Sequence, residues 1–448
     1  MDDGQRPKRM NYTDCLQYLV DLGHELRGVK FDLANMRVIL HALDHPERAW
    51  PSAIVAGTNG KGSTCAMLAS ILTSAGYRTG LYSSPHLVRV NERIRLDGND
   101  ISDEDFAAAF SEVEGAVSRL LIEGGLAQRP SFFEFLTATA FVHFARAQVE
   151  FAVLEVGMGG RLDATNTVEP EVAVITNVEL DHVEYLGSTH AAIAAEKAGV
   201  IRGGKPVVSG CRHPEAAAVV RHRCAELGAD LIELPSFARL IDLGHDDGRY
   251  SFGLALNGTR FAALRSSLRG RFQVENASAA AAAAWKLATR GWRIPPAAVT
   301  EGIARASWPG RLEICAARPL TFLDGAHNPA AAAAVAEFIR SELAGKPLTL
   351  VYASMRDKAI EEVAGALFPL ASEIYLTRTA LPRAATPEEL LARAGSLAGS
   401  APIRLVADPA LALRQARTAS APEGVVLAAG SLFLVGAIKE ALSQGRLA

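Results

Sequence analysis

The chain has 448 residues, 49% of them hydrophobic and 21% charged, and a formal net charge of −3. It is long enough for two or three domains, and its charge argues against nucleic acid as the main partner. Five scattered cysteines (Cys15, Cys65, Cys211, Cys224, Cys315) without C-x-x-C spacing argue against a disulfide framework or a zinc site. No apolar run reaches membrane-spanning length, and "MDDGQRPKRM" lacks a signal peptide's apolar core, so a soluble, cytoplasmic protein without a membrane partner is expected.

The first informative stretch, "SAIVAGTNGKGSTCAMLASILTSAG" (52–76), reads as a buried strand, a glycine loop and a helix closed at Gly76. "RTGLYSS" follows as a second strand. "FAVLEVG" (151–157), "VAVITNV" (172–178) and "KPVVSG" (205–210) are continuous apolar runs of the kind buried on both faces of a parallel sheet. Residues 230–270, with a turn signal at Asn257-Gly258, read as an antiparallel appendage. The Ala block 277–284 reads as ordinary helix. From about residue 312 a second alternation begins: "LTFLDGAHNP", "LTLVYAS", "EIYLT", "IRLVAD" and "GVVLAAGS" each precede a helical stretch. The expected fold is therefore α/β. A mainly parallel sheet domain with a small antiparallel appendage (1–306) precedes a smaller open α/β domain (312–448). The hinge is expected near "SWPGRLE" (307–313).

The loop "AGTNGKGST" (56–64) departs from the G-x-x-x-x-G-K-S/T phosphate pattern twice, with Val55 in place of a glycine and Gly62 in place of Ser or Thr. Its place between strand and helix still suits phosphate. Gly57, Thr58, Asn59, Gly60, Gly62 and Ser63 offer backbone N–H groups at a helix N-terminus, and Lys61 offers a charge. In an open parallel sheet, ligands sit beyond the carboxyl ends of strands. That brings Ser84, Glu155 and His182 together beside the loop as an oxygen and nitrogen donor set suited to magnesium. Each also has a plainer reading: Glu155 as a turn cap, His182 as a structural histidine.

Together, "GTNGKGST", "SSPHL", "LEVGMGGRLDATN", "LDH", "EKAGVI" and "LDGAHNP" resemble the folylpolyglutamate synthase/dihydrofolate synthase family of the Mur ligase superfamily. The resemblance runs in order from about residue 20 to the C-terminus. It implies a P-loop ATPase domain followed by a Rossmann-like domain, and it accounts for Gly62, since K-G-S is how this family's loop reads.

The resemblance also implies roles. Gly57 to Lys61 would hold ATP phosphates, and Ser84, Glu155 and His182 would hold magnesium. Lys197 would match a carbamylated lysine, or else be an exposed helix lysine. Asn276, Arg311 and Asp324 would contact nucleotide, and His327 would be either an active-site group or a local cap. The pterin would lie against Ser131, Phe132, Phe133 and Glu134 and against Leu162, Asp163 and Ala164. Arg89, Arg93 and Arg95 are candidates to meet substrate anions, or are merely solvated. The implied reaction joins L-glutamate to dihydropteroate and to folates through an acyl phosphate, by a monomer. Its rivals are polyglutamylation alone, another Mur-type ligation, and a regulatory ATPase.

Overall fold

The computed structural model describes residues 10–23 and 32–447. Eight strands build the first sheet: β1 (Ser52–Ala56), β2 (Thr79–Tyr82), β3 (Ile94–Leu96), β4 (Asn99–Asp100), β5 (Phe151–Glu155), β6 (Val172–Ile175), β7 (Pro206–Ser209) and β8 (Asp230–Glu233). Their order is β4-β3-β2-β5-β1-β6-β7-β8. The six from β2 to β8 in that order run parallel, and β3 and β4 form an antiparallel edge.

The apolar runs are continuous because both faces are covered. Ile54, Leu154 and Ile175 point into one core with Phe135, Phe141 and Phe144 of the helix Phe132–Arg146. Val55, Val153 and Val174 point the other way, toward Met67, Leu68 and Ile71 of the helix Lys61–Ser74. Each such buried side chain contributes about 1.5–3 kcal/mol. The Ala block belongs to the helix Phe272–Thr289 and is buried in the second core, where small side chains let two helices approach closely.

β9 (Arg239–Asp246), β10 (Arg249–Leu256) and β11 (Thr259–Arg269) form the antiparallel appendage, turning at Asn257-Gly258 as expected. Its start is a correction: residues 230–233 are β8 and pair in parallel with β7. The β3–β4 hairpin also escaped the reading, although Asp97-Gly98, both with positive φ, is a standard two-residue turn signal.

The second sheet comprises β12 (Glu313–Ala317), β13 (Leu320–Leu323), β14 (Leu348–Tyr352), β15 (Glu373–Leu376), β16 (Ile403–Leu405) and β17 (Val425–Ala429), in the order β12-β13-β17-β14-β15-β16. The five expected strands are its parallel members; β12 adds an antiparallel edge. The appendage reaches this second unit. Tyr250 Oη donates to Glu342 Oε1 at 3.0 Å and His245 Nδ1 lies 3.0 Å from Glu342 Oε2, at the last residue of the helix Pro329–Glu342.

Candidate active site

β1 ends at Ala56, and the chain turns through Gly57–Gly60 into the helix Lys61–Ser74. Gly60 is the N-cap, at φ 81°, and no side chain caps the helix, so its first N–H groups remain available to an anion. A side chain at Gly62 would meet the Trp308 indole at 2.6 Å, which is why neither Ser nor Thr fits after the lysine. Lys61 Nζ folds back on its own loop, donating to the carbonyls of Gly57 (3.1 Å) and Thr58 (3.2 Å). Lys197, from the helix His190–Ala198, donates to the same Gly57 carbonyl at 2.9 Å. It is only 3% exposed, which rules out the exposed-lysine reading. Burial, and then the charge of Lys61, pushes its pKa down to about 7.

Beyond the loop lie Ser84, Glu155 and His182, at the ends of β2, β5 and β6. Glu155 is buried, and burial raises its pKa against the opposing charges of Lys61, Arg311 and Arg93; Ser84 N donates to its Oε2 at 3.3 Å. Among the described residues no cation lies within ion-pair distance of it. His182 has left-handed backbone (φ 51°), and burial followed by the Lys358 charge lowers its pKa to about 4. A buried carboxylate, a neutral imidazole and a hydroxyl fit a hard divalent cation.

The aromatic end is built on the helix Phe132–Arg146, opened by a capping box in which Ser131 Oγ accepts from Glu134 N and Glu134 Oε2 accepts from Ser131 N at 2.7 Å. Ser131 and Glu134 line the cavity, but much of their polarity is used on each other. Phe133 packs against Gly157, where a side chain would meet the ring at 2.6 Å, and Phe132 lies under the Arg93 guanidinium at 5.3 Å. Asp163 is buried and receives Met158 N, Thr165 N and Thr165 Oγ1, so it braces the turn that presents Leu162 and Ala164.

The second unit closes the other side. Asp324 is buried; burial raises its pKa, opposed by Arg311, and it accepts from Leu312 N and Ala326 N. His327 Nδ1 lies 2.9 Å from the Gly325 carbonyl, which places the proton on Nδ1 and leaves Nε2 bare toward the cavity. Burial, then Lys358, lowers its pKa to about 4.

Every residue named from the sequence for loop, metal, nucleotide or pterin, together with Lys197 and His327, lines one cavity of about 760 Å³. Among the three arginines only Arg93 does. Arg89 pairs with Asp103 on the surface, in line with its solvated reading, and Arg95 pairs with Asp100 and lies over Trp308. Four residues without a sequence signal of their own also belong to the site: Asn177 and Asn328 bond the loop, and Asp181 and Lys358 line the same cavity. Asn177 Oδ1 accepts Asn59 N at 2.8 Å. Asp181 and Asn328 stand inside "LDH" and "LDGAHNP", beside the histidines that drew notice; Lys358, in "SMRDKAI", carries no local signal.

Fold and phosphate loop together define a Mur ligase. The Mur ligase middle domain model matches residues 55–284, and the Mur ligase glutamate ligase domain model matches residues 310–432. The dihydrofolate synthase/folylpolyglutamate synthase of Bacillus subtilis is 34% identical over 93% of this chain and 96% of its own. Escherichia coli FolC in complex with DHPP and ADP superposes with a TM-score of 0.87 at 32% identity, covering 99% of this chain and all of the other. The bifunctional Yersinia pestis enzyme complexed with AMPPNP and a Mn ion gives 0.84 at 31% identity, covering 98% of this chain and all of the other. The chain belongs to the dihydrofolate synthase/folylpolyglutamate synthase family.

Proposed function

We propose that this chain is an ATP-dependent ligase that joins L-glutamate to dihydropteroate and extends folates with further glutamate. The observation that carries the reading is that one cavity is lined both by an open-capped phosphate loop and by Phe132 and Phe133. A substrate whose ring lies on the aromatic end directs its carboxylate toward the loop, where phosphoryl transfer would activate it. Gly57 to Ser63 and Lys61 would hold the phosphates. Asn276, Arg311 and Asp324 would hold the rest of the nucleotide. Ser84, Glu155 and His182 would hold Mg2+, which when bound offsets phosphate charge. Arg93, over Phe132, is a cation at the aromatic end.

No residue of the chain need attack the substrate. The residues position the carboxylate, stabilise the developing charge and exclude water from the acyl phosphate until the glutamate amine arrives. We divide the chain into units 1–306 and 312–448 near residues 307–313, so that closure would carry Arg311 and Asp324 onto the nucleotide. One chain supplies every residue invoked, which suits a monomer. No helix among the described residues is long and apolar enough to cross a membrane.

Lys197 suits carbamylation. With a pKa near 7, a good share of its amine is neutral at physiological pH and can add CO2, releasing a proton. Lys197→Ala is expected to be nearly inactive and to regain part of its rate with short carboxylic acids. Full activity without them would refute the modification's role.

The deciding experiment measures phosphate release from ATP with dihydropteroate or tetrahydrofolate, each with and without L-glutamate. Release that requires glutamate and occurs with both pteridine substrates supports the reading. Turnover equally fast without glutamate would mean a regulatory ATPase, and activity on tetrahydrofolate alone would reduce the assignment to polyglutamylation.

A further inference from the structure

We propose that Asn59, Asp181, Asn328 and Lys358 are positioning residues that make the shape of the phosphate loop depend on the second unit; the proposal rests on reading that loop as the nucleotide site.

The loop is held twice. Its backbone at Asn59 is fixed from within the first unit: Asn59 N donates to Asn177 Oδ1 at 2.8 Å, and its carbonyl accepts Thr176 Oγ1 at 2.6 Å. Its side chain is given wholly to the second unit. Asn59 Nδ2 donates to Asn328 Oδ1 at 3.2 Å, and Asn328 Nδ2 donates back to Asn59 Oδ1 at 2.9 Å. Asn328 is the N-cap of the helix Pro329–Glu342, where its Oδ1 also accepts Ala331 N. Its other amide hydrogen goes to Asp181 Oδ2 at 3.0 Å. Both donors and both acceptor positions of this amide are therefore used, which fixes a single orientation.

Asp181 completes the circuit. Its Oδ1 accepts Lys358 Nζ at 3.0 Å and His182 N at 2.9 Å. Asp181 and Lys358 are largely shielded, so neither loses its partner to water cheaply. The next residue after Asp181 is His182. Withdrawal of the second unit would thus release the Asn59 side chain and strip Asp181 of two donors at once. With the second unit withdrawn the loop would keep only its first-unit backbone ties, so its full rigidity, and a firmly seated His182, would require the docked second unit.

The test compares amide hydrogen exchange in the nucleotide-free wild type and in Asn328→Ser. Serine keeps a helix cap but is too short to reach Asn59 or Asp181. Exchange at residues 57–61 is expected to quicken by about tenfold, with β1, β5 and the helix Pro329–Glu342 unchanged. Asn59→Ala should give the same change, and the double variant no more than either single one, because both cut one circuit. In steady state the ATP KM should rise while the dihydropteroate KM stays put. Loop exchange equal to wild type in both single variants would overturn the proposal, as would additive effects in the double variant. The exchange measurement needs no nucleotide, so a wild type without ligase activity would refute the functional reading alone.

Discussion

Lys61 and Lys197 share one acceptor, the Gly57 carbonyl, and their roles separate by burial. Lys61 has room to leave its own loop for a phosphate, whereas Lys197 is locked beneath it. Lys61→Ala is expected to fold normally and to lose roughly 10²-fold or more in rate, the scale of deleting one preorganised charge. Near-wild-type turnover by a folded variant would remove the loop from the reaction.

His327 offers a pH test. Its folded pKa, about 4, lies below the usual value of 6.5. Between those values the unfolded chain binds a proton that the folded protein does not, so stability falls as the pH drops through that window. The melting temperature of the wild type is expected to fall relative to His327→Gln from about pH 6.5 to about pH 4, and to track it above pH 7. Parallel curves throughout would show that the imidazole is not held neutral. Glu155 and Lys197 are legible as chemistry-bearing residues at strand and helix ends, but their degree of burial is not, since it depends on segments distant in the chain that pack around them.

At the scale of elements, the sequence was most readable where burial is two-sided. β1, β5, β6 and β17 are runs of five or four wholly buried residues and stood out as such. The edges were harder: β12 is only half-buried, and β4 is two exposed residues whose pairing follows from the Asp97-Gly98 turn rather than from apolar content. β8 was assigned to the appendage because polar residues at its ends hide the one fully buried position, Ile232. Gly62 shows an element answering to a distant one, because it is Trp308 that denies it a side chain. Gly62→Ser would restore the common loop pattern yet is expected to cost about 1–3 kcal/mol by overpacking. Urea titration should show Gly62→Ser costing much less in a Trp308→Ala background than in the wild type. If Gly62→Ser alone proves as stable as wild type, the indole moves aside freely.

Over the whole molecule, residues from 57 to 327 meet in one cavity although the sequence separates them by hundreds of positions. Strand-end topology was enough to place Ser84, Glu155 and His182. It could not reveal that Asp181 would face Lys358, 177 residues away in the chain, since nothing local to either marks the pairing. Arg311 stands at the junction of the two units, where its charge reaches both Glu155 and Asp324. Arg311→Ala is expected to raise the ATP KM several-fold and leave the pteroate KM nearly unchanged. The reverse pattern in initial-rate kinetics would place the nucleotide on the opposite side of the cavity.

The helix Pro329–Glu342 touches the first unit at both of its ends, through Asn328 at one and Glu342 at the other. At 1.5 Å per residue the two points lie about 20 Å apart. In mechanical terms it is a beam resting on two supports. Such a beam can roll about its long axis while both supports hold, but it cannot slide or tilt unless one lets go. The cavity mouth is therefore expected to open more readily by roll about this axis than by slide or tilt. Glu342→Ala, which removes the contacts with both Tyr250 and His245 without touching any cavity residue, would loosen the far support. Distances between spin labels across the mouth are then expected to spread in directions that the wild type does not sample.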